Sequence, residues 1–484
     1  MRSTFFGLET ARRALFTQQS ALHTTSHNIA NANTEGYSRQ RVNFEAETPW
    51  PAAGRNRPEL PGQMGTGVKA GDITRIRDDF LDLQFRGENS KAGYWEAKAE
   101  ALRRMEDVMN EPSDEGLAKV MNQFWTSLQV VANNPEDEGA RKVAAQRAVA
   151  VADTFNYLHT TLGEVQGEIQ HQLSTEVDEV NSLLRQIQDL NDQISAVEPH
   201  GYLPNDLYDQ RDVLVDQLSS RIDIEVGTEP SGGNAKDNAM GKVTITMDGH
   251  ELINASNELN GLGVNDNGTE FSVGPLNDDG EVVGGTTIPA DEFTTVGSLR
   301  GLKESSEFYG EQIEDLDEMA SAFIETFNEQ HRAGYNLENE TNQNFFEGNS
   351  AADIAVLDEI LDNVSLIAAS EAANAPGDGS NAVELAKVKD REGVIDGRSV
   401  QAFYEGMIGE LGVQAQEANR LMNNSGVLRE SVNQNRQSVS GVSLDEEMSN
   451  LIQFQHAYNA AARSMTVVDE MLDRIINQMG IVGR

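Results

Sequence analysis

The sequence predicts a mainly α-helical chain with an inserted small all-β domain. It has paired N- and C-terminal coiled-coil helices, an elongated helical body and an outward β module. Three observations carry this. Apolar residues recur at helical spacing at both ends and across residues 85–220. Near Ile222 the period shifts to that of strands. Helical spacing returns at Ser298 and again from about Ser399, so the strands interrupt a helical chain.

At the N-terminus Leu8, Leu15, Leu22 and Ile29 stand seven apart, with Ala11, Ala14 and Ala21 beside them. This is a heptad seam, thinned by the polar Gln18 and Thr25. The helix should stop between Asn28 and Asn33, where the segment ending in Gly36 is rich in turn formers. Gly65-Thr66-Gly67-Val68 reads as a turn into a strand. Pro112 and Pro135 break the helices that follow. A long stripe then runs through Leu162, Val165, Ile169, Leu173, Val177, Val180, Leu184, Ile187, Ile194 and Val197, and ends at Glu198-Pro199-His200-Gly201. A shorter helix places Leu207, Leu214 and Leu218 on one side.

Beyond it, Ile222, Ile224 and Val226 alternate with acids, as Val243, Ile245 and Met247 do with Lys and Thr. Asp248-Gly249 supplies a hairpin turn. Residues 222–300 form the β domain, with net charge −11. Residues 298–330 are helical, 336–382 irregular, and helix resumes near Ser399. The strongest stripe comes last: Leu451, Phe454, Tyr458, Ala461, Met465, Val468, Leu472, Ile475, Met479 and Val482 alternate three and four apart. Ser443 followed by three acids suits its N-cap. Residues 1–60 with 425–484 should form a terminal coiled-coil inner domain, and 61–221 with 301–424 the helical body.

The 484 residues include no cysteine and carry a formal charge of −42. Disulfides, thiolate metal sites and thiol nucleophiles are excluded. The acidic balance argues against nucleic acid, whose phosphates need Lys and Arg, and against anionic membrane surfaces. The charge is uneven. Residues 1–60 are net +2 and residues 425–484 net −2, so the whole excess lies between them. No stretch approaches the ~20 apolar residues of a membrane span, and the start lacks a sustained apolar leader. The expectation is a cytoplasmic protein, or one exported without a cleaved leader.

No catalytic motif is present: there is no G-x-S-x-G, H-E-x-x-H, P-loop or G-x-G-x-x-G. His23 and His27 have ligand spacing but no completing Cys or carboxylate. Asn265-Asp266-Asn267-Gly268 and Asp278-Asp279-Gly280 do not fit a calcium loop and read as hairpin turns. No catalytic, metal or cofactor site is expected.

Ser26-His27-Asn28-Ile29-Ala30-Asn31-Ala32-Asn33-Thr34-Glu35-Gly36-Tyr37 resembles the N-terminal signature of the bacterial flagellar rod, hook and hook-associated axial proteins. Ser38-Arg39-Gln40 narrows the resemblance to the hook–filament junction members. Three further segments agree. Gly65 to Gln84 is similar to the family's segment after the N-terminal arm. Asn205 to Asp212 resembles its D-Q-R-D motif, and Ser440 to Met448 with Gln453-Phe454-Gln455 its C-terminal signature. The matches span the chain in order, with little agreement in residues 222–300.

The resemblance implies a structural, non-enzymatic adaptor at the hook–filament junction. Such a protein leaves the cell by flagellar type III export and assembles through its terminal helices into a helical ring. Its neighbours would be the hook protein proximally and a second junction protein distally, and a dedicated cytoplasmic chaperone would hold the C-terminal helix before export. The subunit-packing and signature residues are then Leu8, Leu15, Leu22, Asn28, Ile29, Asn31, Asn33, Gly36, Tyr37, Ser38, Arg39 and Gln40. Leu451 to Met479 of the last stripe would pack subunits and bind the chaperone. Another axial component, a hook or distal-rod protein, is the alternative; a secreted hydrolase with coiled-coil ends is the outlying one.

Overall fold

The computed structural model describes residues 5–51, 54–55, 62–113, 116–265, 268, 270–277, 280–289 and 292–478. Helix α1 (Phe6–Ala30) leads into a hairpin, β1 (Gln40–Ala46) and β2 (Val68–Arg75), which packs on α1. The helical body follows as α2 (Asp79–Met109), α3 (Leu117–Asn133), α4 (Glu138–Val197) and α5 (Asn205–Arg221). Six strands come next: β3 (Glu225–Glu229), β4 (Lys242–Met247), β5 (His250–Ile253), β6 (Asn260–Val264), β7 (Glu270–Pro275) and β8 (Thr286–Pro289). Helix α6 (Ser298–Ala333) returns along α4. A two-residue ribbon, β9 (Phe346–Glu347) with β10 (Ala355–Val356), and short helices α7 (Asp358–Asp362) and α8 (Ser380–Lys387) occupy the segment expected to be irregular. The chain ends in α9 (Val400–Ser440) and α10 (Leu444–Asp473), with a wide turn over Arg474–Gln478.

The helix boundaries follow from local chemistry. Asp78, Asp137 and Ser399 cap α2, α4 and α9 by accepting backbone N–H bonds. Ser443 takes the N-cap position of α10, but its hydroxyl caps no N–H. Helix α4 stops where the sequence indicated, in a turn closed by the left-handed Gly201. Ten residues of its stripe behave as expected: Val165 and Val197 are half-buried and the other eight buried.

Strands β3–β4–β5 and β6–β7–β8 form two antiparallel meanders, and Asp248-Gly249 makes the β4–β5 turn with both residues at positive φ. The meanders lie along the C-terminal half of α4, and their apolar faces join the same continuous core as the helices. Buried asparagines fix them there. Asn181 pairs both its amide groups with the backbone of Leu262 (2.7 and 2.8 Å), and Asn191 does the same to Val243 (2.9 and 2.9 Å). Each supplies a donor and an acceptor to a strand that would otherwise leave buried backbone groups unpaired. Asn328 repeats the device on α6, holding Phe345 and Phe346.

At the other end of α4, Phe124, Phe155, Phe323, Phe327, Phe345 and Phe346 form an aromatic core. Beside it His331 is 1% exposed, with Nδ1 2.8 Å from the Gln343 carbonyl and Nε2 accepting the Ala368 N–H at 3.0 Å. Burial pushes its pKa down to about 4. The folded chain therefore keeps His331 neutral where the unfolded chain protonates it, between pH ~6.5 and ~4. Its contribution to stability is complete above that window and is lost as pH falls through it, by about 3 kcal/mol in all. Urea unfolding of the native chain and of His331→Gln from pH 7 to pH 4 checks this: the native chain should lose the extra stability, and the variant should lack that slope.

Candidate assembly site: the stalk and its elbow

Helices α1 and α10 lie antiparallel and make a stalk. Its tip is marked by Gly7 beside Val468. The predicted stripe residues Leu8, Leu15, Leu22 and Ile29 are half-buried, as are Leu451, Phe454, Ala461, Met465 and Val468. Leu472 is buried, Tyr458 (37%) and Ile475 (44%) are exposed, and Met479 and Val482 lie outside the described residues. The fully buried face of α1 is made instead of small and polar residues: Ala11, Thr17, Ala21, Thr24, Thr25 and Asn28. Phe454 meets Phe44 of β1 edge-on, with centroids 5.9 Å apart.

Only Glu447 and Leu472 are buried within α10. Away from the seam it exposes Ile452, Val467 and Met471, with Met448 on the flank and Leu444 in the first turn also exposed, and α1 exposes Phe16 at 62%. The partner helix and the β1–β2 hairpin together leave the outer side of α10 uncovered.

The stalk turns into the body at an elbow, crossed by residues 31–39 and 440–443. Here the signature residues converge. Asn28 donates to the Gln40 carbonyl (2.8 Å) and to Glu447 Oε2 (3.0 Å), while its Oδ1 accepts from Gln40 N (3.0 Å) and Tyr37 OH (2.8 Å). Arg39 donates to both Glu447 (2.8 Å) and Glu446 (2.7 Å) at the start of α10. Ser38 N donates to Asp209 of α5 (3.1 Å), and Gln40 Nε2 to Asp206 (2.9 Å). Asn31 bonds back to the His27 carbonyl and ends α1, whereas Asn33 is exposed. Gly36 has φ +74°, and a Cβ there would stand 2.0 Å from Val213 Cγ2. Only glycine lets the loop lie against α5.

Beneath these contacts sits a knot of arginines and aspartates. Asp212 accepts from Arg75 (2.8 Å), lies 3.0 Å from Arg77 and 3.6 Å from Arg86. Asp209 pairs with Arg75 (2.7 Å), Asp82 with Arg77 (2.5 and 3.0 Å), and Asp216 with Arg86 (2.9 Å) and Arg436. The Arg436 guanidinium also covers the Phe85 ring at 3.9 Å. Burial would raise the Asp212 pKa, but Arg77, Arg75 and Arg86 outweigh it and hold the carboxyl below its ordinary value. Burial opposes the Arg77 charge, yet Asp212 and Asp82 keep its pKa above the usual one. For Asp209 burial prevails and raises the pKa despite Arg75. Arg211, wholly buried, is lowered to about 10 by burial and donates to Asn191 (3.1 Å) and the Gly241 carbonyl (2.7 Å).

The D-Q-R-D segment thus turns charges inward. The leucine face expected of α5 is only part of its packing: Leu218 is buried, Leu207 and Leu214 half-buried, while Tyr208, Asp209, Arg211 and Asp212 are buried. The knot's arginines come from β2, the segment after it, α2 and α9, so no local spacing announces them. Removing one tie at the elbow should leave the body folded. Glu447→Ala is expected to destabilise the stalk's attachment by about 2 kcal/mol, read as faster hydrogen exchange in residues 6–40 with the body's protection unchanged.

Family models match in three places. Residues 8–37 match "Flagella basal body rod protein", residues 433–479 "Flagellar basal body rod FlgEFG protein C-terminal", and residues 102–346 "Flagellar hook-associated protein FlgK helical domain". Flagellar hook-associated protein 1 of Bacillus subtilis is 46% identical over 512 aligned residues, covering 100% of both chains. The chain belongs to the flagellar hook-associated protein 1 family. The Escherichia coli member is 24% identical over 97% of this chain and 99% of its own. The solved structure of the flagellar hook junction protein FlgK from Burkholderia pseudomallei shares the fold, with a TM-score of 0.63 at 15% identity, over 75% of this chain and 100% of that one. Membership of the hook-associated protein 1 family makes the chain a structural axial component of the flagellum. The rod and hook alternative is not favoured, because the rod models match only the two ends while the helical body matches the hook-associated model.

Proposed function

We propose that this chain is a non-enzymatic adaptor at the hook–filament junction. It leaves the cell by the flagellar type III route and assembles through α1 and α10 into a helical ring on the hook tip. The hook protein lies on its proximal side and the second junction protein on its distal side. Before export, a dedicated cytoplasmic chaperone covers α10. The observation that carries this reading is the apolar side of α10 left uncovered by α1. Burying it is favourable by ~25 cal/mol per Å2, and only a further molecule can do so. A structural role also suits the elbow, where the clustered carboxylates are held by guanidinium groups.

The test is a chain lacking residues 451–484. It should keep a folded, protease-resistant body, yet fail to appear at the hook–filament boundary of isolated flagella labelled with antibody. Restoration of motility in a null strain by that truncated chain would falsify the reading.

A further inference from the structure

The stalk and its hairpin join the body through two short segments, residues 76–78 and 441–443. Arg39 ties the start of each. Its N–H donates to the Ser440 carbonyl (2.8 Å), and its own carbonyl accepts from Ile76 N (2.8 Å). Short segments at the ends of helices and strands are where a hinge absorbs backbone rotation. Beside them the loop of residues 31–37 reaches down onto α5, where Gly36 meets Val213.

Open space lies on both sides of that loop along α5. The elbow cleft, about 650 Å3, separates it from α4 and the first half of α5, with Asp206, Asp209 and Val213 among its lining. A second cleft, about 870 Å3, separates it from α2, α9 and the last half of α5, with Val213, Asp216 and Ser220 among its lining. The α9 wall of the second cleft is polar, made by Asn433 and Gln437. Polar walls of this kind hold water instead of packed side chains, so a swing of the loop across the cleft breaks no apolar core.

Glu35 stands on the rim of both clefts, exposed and without a cationic partner among the described residues. The two sides offer it different charges. Across the elbow cleft stand Asp189, which has no partner among the described residues, and Asp206, paired only with His27 at 3.7 Å. Across the second cleft stands Arg429, which makes no hydrogen bond or ion pair among the described residues. Arg77 and Arg436 on the same side are already held by Asp82, Asp212 and Asp216. Glu96 and Glu430 share a neighbouring groove with Arg429, but neither pairs with it. We infer that the loop swings about the Arg39 ties toward α9, carrying the stalk with it, and closes the second cleft with a Glu35–Arg429 ion pair. The opposite swing brings Glu35 against Asp189 and Asp206, so the elbow moves in one direction. This concerns the free chain and stands apart from the junction reading.

The chain contains no cysteine, so pairs of spin labels can be placed on introduced thiols in the full-length protein. Asn33→Cys with Ser431→Cys spans the second cleft, and Asn33→Cys with Gln193→Cys spans the elbow cleft. All three positions are exposed. Double electron–electron resonance at low salt should give two distances across the second cleft, one that of the open cleft and one shorter. Arg429→Glu should reduce the shorter fraction at least about two-fold, and salt of about 0.5 M should do the same to the unsubstituted pair. Glu35→Lys should reverse the swing, so that the shorter distance appears across the elbow cleft. The inference is overturned if Arg429→Glu changes neither the distances nor their fractions. Shortening across the elbow cleft without any charge substitution would overturn it equally.

Discussion

Asp212→Ala should unfold the elbow at a lower denaturant concentration than any other single change there, with a loss of about 3–5 kcal/mol. The carboxylate lies among Arg75, Arg77 and Arg86 at 2.8, 3.0 and 3.6 Å, and its side chain is 9% exposed. Removing it deletes three attractions from a poorly hydrated space and leaves Arg75, Arg77 and Arg86 each with one carboxylate, Asp209, Asp82 and Asp216, in place of two. The loss comes from guanidinium charge left under-compensated as well as from the pairs themselves. Asp212→Asn is the discriminating control. It keeps the shape and one acceptor but not the charge, and should fall between the native chain and the alanine variant. Urea unfolding followed at the elbow by a fluorophore on the exposed position Asn33→Cys would show the ordering. Equal stability of all three proteins would mean that the knot contributes no net stabilisation.

Phe124→Ala should be equally damaging, by about 3–5 kcal/mol, but at the opposite end of the body. Phe124 is 0% exposed and lies within ring-contact distance of Trp125, Phe323, Phe327, Phe345 and Phe346, at 5.1 to 6.5 Å. Its removal opens a cavity among side chains on α3, α6 and the strand β9, which cannot all move inward together. The expected result is early loss of near-ultraviolet dichroism and of hydrogen-exchange protection in α3 and α6. The stalk and elbow should keep theirs. Phe124→Leu, which fills part of the space, should recover about half of the loss. If the two ends of the body lost protection together, the elbow would share one cooperative unit with the aromatic core.

Much of this architecture is legible because apolar periodicity reports burial against a neighbour. The stripe of α4 and the Asp248-Gly249 turn fall where the pattern puts them. Both are local: a helix face needs only its own spacing, and a left-handed turn needs only its own residues. The stripes of α1 and α10 are equally regular, yet the chain alone half-covers them, since periodicity cannot tell an internal partner from another molecule. The elbow is the opposite case. Asn28, Arg39 and Glu447 meet across more than 400 residues of sequence, and a polar contact has no period to betray it. Asn181 and Asn191 lie beside the α4 stripe as ordinary polar residues, although each holds a strand. The resemblance to the axial family drew attention to Asn28, Gly36 and the D-Q-R-D segment. The reason for each appears only in three dimensions: an amide closing the turn, a loop pressed on α5, a carboxylate between guanidiniums.

Helix α4 has a mechanical consequence. Its 60 residues run from the aromatic core to the elbow cleft without a break, which at 1.5 Å per residue is about 90 Å. A strut of that length is a lever with its fulcrum at the elbow. A change of about 5° in the angle between stalk and body would swing the far end through about 8 Å over that length. The ties at the fulcrum are ion pairs and hydrogen bonds, which can break and re-form singly, whereas the lever arm is held by a close-packed core. Bending strain should therefore collect at the elbow and leave the arm straight.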